Sequence, residues 1–257
     1  MIAIKTSSLQ IGYSLRKGQK KVVSSNLNLE LENGRLCCLL GPNGSGKSTL
    51  MKTLCGFIKP LRGEIEICGK SLHSYSQAEI ATMVGVVLTE KITGSGLNIF
   101  DLVSLGRYPY TGYFGKLDEN DIDVINRAIA ACGYRGDISN YVSELSDGER
   151  QKIMIAKTLA QECPIIILDE PTAFLDITSK IEIMELLASL AHDQEKTVLI
   201  STHDLDTALR TADELWIEDE SNGTIVCGSP EDLGNTDIFE RIFGSKAAKI
   251  VYSAIGK

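Results

Sequence analysis

Five consecutive apolar residues, Leu36-Cys37-Cys38-Leu39-Leu40, run directly into Gly41-Pro42-Asn43-Gly44-Ser45-Gly46-Lys47-Ser48-Thr49, and this junction constrains the chain more than any other feature. A short run that is apolar at every position reads as a strand buried on both faces, which points to a parallel sheet covered by helices. Ile165 to Leu168 and Val198 to Ile200 have the same character. The residues from Gly41 match G-x-x-x-x-G-K-S/T, and Leu50-Met51-Lys52-Thr53-Leu54, closed by Gly56, supplies the helix that must follow. Glycines let successive backbone N–H groups turn inward around an anion, and the helix N-terminus adds partial positive charge. Lys47 then neutralises β and γ phosphates, and the Ser48 hydroxyl is a ligand for Mg²⁺. The expected ligands are a nucleotide, bound through its phosphates, and Mg²⁺, held by Gly41 to Thr49.

The rest of the chain supports an α/β fold. Leu27, Leu29 and Leu31 alternate with Asn28, Glu30 and Glu32 as one strand with a wet face before an Asn33-Gly34 turn, and Glu64-Ile65-Glu66-Ile67 alternates likewise, so the opening reads as antiparallel sheet. Asp118 is placed to cap a helix with Ile122, Ile125, Ile129 and Cys132 on one face before Gly133, and Asn98 to cap Ile99, Leu102 and Val103. One domain is expected over residues 1–257: residues 1–94 and 161–257 form the sheet core with a β subdomain, and roughly 95–160 form an inserted helical subdomain. No apolar run approaches the roughly 18 residues of a membrane span, and Met1 to Gln10 lacks a signal-peptide pattern. With 26 Lys+Arg against 34 Asp+Glu the net charge is -8, so nucleic acid is not an expected partner. Seven cysteines without a C-x-x-C pair, beside three histidines, read as small buried hydrophobes in a reducing compartment.

Two of the apolar runs end in chemistry. Ile165 to Leu168 leads into Asp169-Glu170, and two buried carboxylates demand a cation, which assigns Asp169 to Mg²⁺ and Glu170 to the attacking water. Val198 to Ile200 leads into Ser201-Thr202-His203, at the strand end where open parallel sheets bind ligands, so His203 is a candidate γ-phosphate contact. Kinases and GTPases share these features. The discriminating segment is Leu145-Ser146-Asp147-Gly148-Glu149-Arg150-Gln151, where Ser146 and Glu149 form a capping box that opens a helix with exposed N–H groups.

Residues 41–49, 145–151, 165–170 and 203 together resemble the Walker A, signature, Walker B and switch-histidine motifs of the nucleotide-binding subunit of ATP-binding cassette (ABC) transporters. The resemblance implies a P-loop NTPase (RecA-like) core and a head-to-tail dimer that sandwiches two ATP molecules, with Ser146 and Gly148 reaching the γ-phosphate of the other copy. It implies that Tyr13 stacks on adenine and that Asp176, in Ala173-Phe174-Leu175-Asp176, is the acid linking the two sites. Two positions depart from the pattern. Glu90 stands where the family usually has Gln, and is expected to keep a metal-sensing role as an Mg²⁺ ligand; Asp147 replaces a common glycine. Leu105-Gly106-Arg107-Tyr108-Pro109-Tyr110-Thr111-Gly112-Tyr113-Phe114-Gly115 is similar to the Gly-Arg-x-Pro-Tyr stretch of importer ATPases for iron-siderophore, haem or cobalamin. That similarity implies a peripheral subunit on the cytoplasmic face of a bacterial membrane, with permease subunits as partners and a substrate-binding protein as an indirect one. The alternatives are a soluble ABC ATPase acting on DNA or ribosomes and a poorly hydrolysing regulatory module.

Overall fold

In the computed structural model, which describes residues 1–15, 19–88, 96–112, 114–219, 222–246, 248 and 251, each continuous apolar run is a strand buried on both faces. β4 (Leu36–Leu40), β8 (Ile165–Asp169) and β9 (Thr197–Thr202) are parallel neighbours. With β7 (Val84–Val87), β10 (Glu214–Asp219) and β11 (Thr224–Gly228) they form a sheet in the order β11-β10-β4-β9-β8-β7, antiparallel only at β11. Leu36, Cys38, Leu40, Ile166, Leu168 and Ile200 enter the core under the helices, whereas Cys37, Leu39, Ile165, Ile167 and Leu199 enter the core under the second sheet. Burial on both faces keeps the middle of these strands apolar, and the buried polar residues Asp169, Thr197, Ser201 and Thr202 sit at or near strand ends.

The second sheet runs β2 (Lys20–Leu27), β1 (Ile2–Ser14), β5 (Arg62–Ile67) and β6 (Lys70–Ser71), with β3 (Glu30–Glu32) also paired to β1. The alternation at Leu27, Leu29 and Leu31 is therefore two strands rather than one, although all three leucines are buried. β2 pairs with the second half of β1 and β3 with its first half. The break between them is fixed by side chains: Asn28 Oδ1 accepts the Ser8 amide at 2.8 Å, and Thr6 Oγ1 accepts the Leu29 amide at 2.9 Å.

α1 (Lys47–Leu54) packs on β1 and β8. α3 (Ile99–Ser104), α4 (Glu119–Ala131) and α5 (Asp147–Ala160) pack on one another, and α5 also meets β7 and α6 (Ile177–His192). Asn98 and Asp118 cap α3 and α4 as their positions suggest. The buried face of α4 differs from the expected one: Ile122 is 40% exposed, and Asp121 with Val124, Ile125, Ala128 and Ile129 faces inward. The carboxylate belongs there because a buried arginine, Arg107, claims it. Five cysteines are buried, but Cys227 is exposed and Cys68 half-buried, against the uniform burial expected. Burial pushes the Cys55 and Cys132 thiols up to about 12, which keeps them protonated and unreactive.

Candidate functional site

Strand register brings three motif-bearing strand ends to one edge of the parallel sheet. Leu40 pairs with Thr202, and Ser201 pairs with Asp169, so the phosphate loop, His203 and Glu170 leave from three consecutive strands. Neighbouring strands lie about 4.8 Å apart, so β4 and β8 are separated by about 10 Å, a span suited to a triphosphate.

The loop is shaped by backbone that only glycine adopts easily. Gly44 and Gly46 have φ of 84° and 125°, and a Cβ on Gly46 would stand 2.4 Å from Val23 Cγ1 of β2. The Lys47 ammonium is buried and donates to the carbonyls of Gly41 at 2.8 Å and Pro42 at 2.7 Å, which holds the cation over the loop. Pro42, Asn43 and Ser48 are exposed, and Thr49 is buried. Ser45 Oγ donates to the buried carboxylate of Glu218, at the end of β10. The Tyr13 hydroxyl bonds Thr49 Oγ1 at 2.9 Å, so its half-exposed ring is fixed beside the first turn of α1.

At the end of β8, Asp169 is buried and accepts a 2.6 Å hydrogen bond from Ser201 Oγ; the same hydroxyl accepts the Glu170 amide at 2.8 Å. Ser201 thus ties the two acids to β9. Glu170 has φ of 49°, a left-handed conformation costing about 1–3 kcal/mol outside glycine, and its carboxylate lies 3.9 Å from His203 Nδ1. The donor set fits Mg²⁺: the described residues hold no cluster of three His, Cys, Asp or Glu, whereas an exposed Ser48 hydroxyl and a buried Asp169 suit a cation that keeps phosphate oxygens and water among its ligands. Glu90 lies outside the described residues.

A second group forms at the start of α5. Ser146 and Glu149 make the full capping box, and hydrogen bonds from Ser146 hold the Glu149 carboxyl below its usual value. Asp147 pairs with Arg150 at 2.7 Å, while Arg150 also donates to the Leu145 carbonyl at 2.8 Å, so the unusual acid carries its own counter-ion. A Cβ on Gly148 would lie 2.6 Å from Ser179 Oγ. The amide and hydroxyl of Ser179 both donate to Asp176, which caps α6 and is held below the ordinary carboxylate range. Ser146, Gly148 and Asp176 are therefore one local assembly, carried by helices that pack apart from α1.

Sequence reasoning missed Ser201, Glu218 and the buried role of Arg107. The one visible signal was for Ser201: a polar residue directly after the apolar run Val198 to Ile200, just ahead of His203.

A phosphate loop and an acid pair on one sheet edge are shared by many NTPases, but the capped serine helix on a separate helical cluster and the added antiparallel sheet define an ATP-binding cassette, which binds and hydrolyses ATP. Residues 24–173 match the ABC transporter family, and the chain belongs to it. It is 39% identical over 245 residues to the ABC transporter ATP-binding protein MJ0873 of Methanocaldococcus jannaschii, covering 95% of this chain and 82% of that one. It is 34% identical over 242 residues to the ferric enterobactin transport ATP-binding protein FepC of Escherichia coli, covering 94% and 87%. Among solved structures, the dimeric post-hydrolysis cassette MJ0796 with ADP and Pi superposes with a TM-score of 0.75 at 25% identity, covering 88% of this chain and 98% of that one.

Proposed function

We propose that the chain is the ATP-hydrolysing subunit of an importer for an iron chelate (siderophore or haem) or cobalamin, acting as a head-to-tail pair beneath membrane permease subunits, at the cytoplasmic face of the membrane. The observation that carries this reading is the division of the site into two assemblies. Lys47, Asp169, Glu170 and His203 share a sheet edge, while Ser146 and Gly148 sit on a helix packed against α3, α4, α6 and β7. A second copy supplies what one copy keeps apart. The likeness to FepC, a ferric enterobactin transport protein, and to a dimeric cassette favours an importer and a pair.

In this reading Gly41 to Thr49 cradle the phosphates and Lys47 leaves its carbonyl partners for the β and γ oxygens. Ser48, Asp169 and Glu90 would hold Mg²⁺, which neutralises phosphate charge. Glu170, fixed through its amide, orients and deprotonates the attacking water, and His203 beside it holds the γ-phosphate. Tyr13 stacks on the base. Ser146 and Gly148 of the second copy close over the γ-phosphate, with Asp176 linking the two sites. Among the described residues no helix is long and apolar enough to cross a membrane, and in this reading the permease supplies the membrane path. A groove of about 710 Å³, lined by apolar Phe57, Ile58 and Leu72 and by polar Lys59, His73 and Gln161, is the seat this reading gives to a permease segment.

Glu170→Gln tests both chemistry and assembly. Turnover is expected to fall about 10² to 10⁴-fold, with an ATP-loaded dimer accumulating in light scattering. Hydrolysis at the parental rate removes Glu170 as the base, and a chain that stays single with ATP, alone and with its permease, removes the sandwich. Isolation of the membrane complex with bound iron chelate or cobalamin tests the transported class.

A further inference from the structure

The stretch Leu105 to Gly115 contains a buried arginine that the nucleotide chemistry leaves unused. A short 3-10 turn over Leu105–Arg107 lies directly on the last turns of α5, where a Cβ on Gly106 would stand 2.2 Å from the Lys157 carbonyl oxygen. That close approach delivers the Arg107 guanidinium to the C-terminal end of the helix. Its Nε donates to Asp121 Oδ1 at 2.8 Å, and its Nη1 donates to the Ala160 carbonyl at 2.8 Å and to Glu162 Oε2 at 2.6 Å. The Ala160 carbonyl is one of those the helix cannot satisfy itself. The guanidinium also lies 4.2 Å from the Tyr110 ring, whose hydroxyl donates to the Gln161 carbonyl at 2.8 Å.

Gln161 carries the connection into the sheet core. Its Nε2 donates to the carbonyls of Ala81 and, at 3.2 Å, Val84, where α2 (Gln77–Met83) passes into β7. Gly85 of β7 leaves no room for a side chain, since a Cβ there would be 2.3 Å from Thr158 Cγ2 of α5. One guanidinium therefore joins the turn after α3, the start of α4 and the end of α5, at the point where α5 is tied to the sheet.

The other end of α5 is Ser146. A helix of 14 residues is about 21 Å long, so a tilt of about 3° at the Arg107 end moves Ser146 by about 1 Å. A displacement of that order in a reacting constellation costs up to about 10²-fold. We propose that Arg107 is a positioning residue for ATP turnover: it locks the C-terminal end of α5 against the sheet, so that Ser146 meets the partner's nucleotide at a fixed angle. The inference rests on the reading of Ser146 as a contact made to the second copy.

The test uses the full chain in a Glu170→Gln background, with light scattering to find the ATP concentration for half-maximal dimer formation and a fluorescent ATP analogue to measure binding to dilute single chains. Arg107→Lys keeps the charge and loses the planar fork; it is expected to raise the dimerising ATP concentration at least tenfold while analogue binding stays within about twofold of the parent. Tyr110→Phe removes only the hydroxyl bond at a half-exposed site and is expected to shift dimerisation about threefold, which decides the matter if the lysine variant does not fold. Dimerisation at the parental ATP concentration by the folded variants overturns the proposal, as does a parallel loss of analogue binding, because a general structural defect damages the phosphate loop too. Ser146→Ala separates the two levels of argument. If it impairs dimerisation and the Arg107 and Tyr110 variants do not, the positioning role alone fails; if it changes nothing, the partner contact itself fails.

Discussion

Ser201→Ala removes one oxygen from the interior and is expected to weaken both the fold and the reaction. Ser201 is fully buried, and its hydroxyl makes two bonds: it donates to the Asp169 carboxylate and accepts the Glu170 amide. A bond to a charged group is worth about 1.5–3 kcal/mol, and a buried amide left without its partner costs about 1–3 kcal/mol. The two share one oxygen and are not additive, so a loss of about 3 kcal/mol is the expected sum. With a urea slope of about 3 kcal/mol/M for a chain of this size, the midpoint falls by about 1 M. Turnover should fall at least tenfold as well, because the amide bond is what holds Glu170 in its left-handed backbone conformation beside His203. Urea unfolding followed by tryptophan fluorescence reads the first effect, since Trp216 is buried; steady-state ATP hydrolysis reads the second. A midpoint within about 0.2 M of the parent, with unchanged turnover, would show that Ser201 does not tie β8 to β9.

Gly106→Ala must move its turn off α5, because the obstructing atom is a backbone carbonyl oxygen, and is expected to destabilise the chain by about 1–3 kcal/mol, read as a lowered urea midpoint. Arg150→Ala removes both the partly exposed counter-ion of Asp147 and the donor to the Leu145 carbonyl, and should lower stability by about 1–2 kcal/mol, of which the ion-pair share shrinks in high salt. Asp121 is held below the usual carboxylate range chiefly by the Arg107 hydrogen bond, so its contribution is fully present above the unfolded value near 4 and is lost as the pH falls through the lower folded value. Asp121→Asn should therefore be less stable than the parent at pH 7, and the gap should narrow as the pH falls below the ordinary carboxylate value of about 4 in paired urea titrations. Glu90→Gln is expected to loosen the Mg²⁺ requirement of ATP hydrolysis, and an unchanged Mg²⁺ titration removes Glu90 as a ligand.

What can be seen in the sequence and what cannot divide along a physical line. A capping box acts over four residues, a phosphate loop over nine, and a two-sided buried strand shows itself in three to five consecutive apolar letters, so Ser146, Asp118, Gly46 and the three central strands are all visible one segment at a time. Arg107 is not visible in this way, because its partners stand at 121, 160 and 162 and only the folded chain brings them together; by itself the residue reads as a charged position in an aromatic loop. The same cause misdirected the face of α4. Periodicity counts Ile122 as core and Asp121 as surface, and the order is reversed because a buried guanidinium makes a carboxylate the better core residue at that position. The break between β2 and β3 follows from contacts of Asn28 and Leu29 with β1, twenty or more residues back in the chain, so an unbroken alternation hides it. Long-range polar contacts thus set the angles between elements whose existence local chemistry already dictates. Under the proposed pairing with a second copy, those angles decide whether Ser146 arrives where the phosphate is.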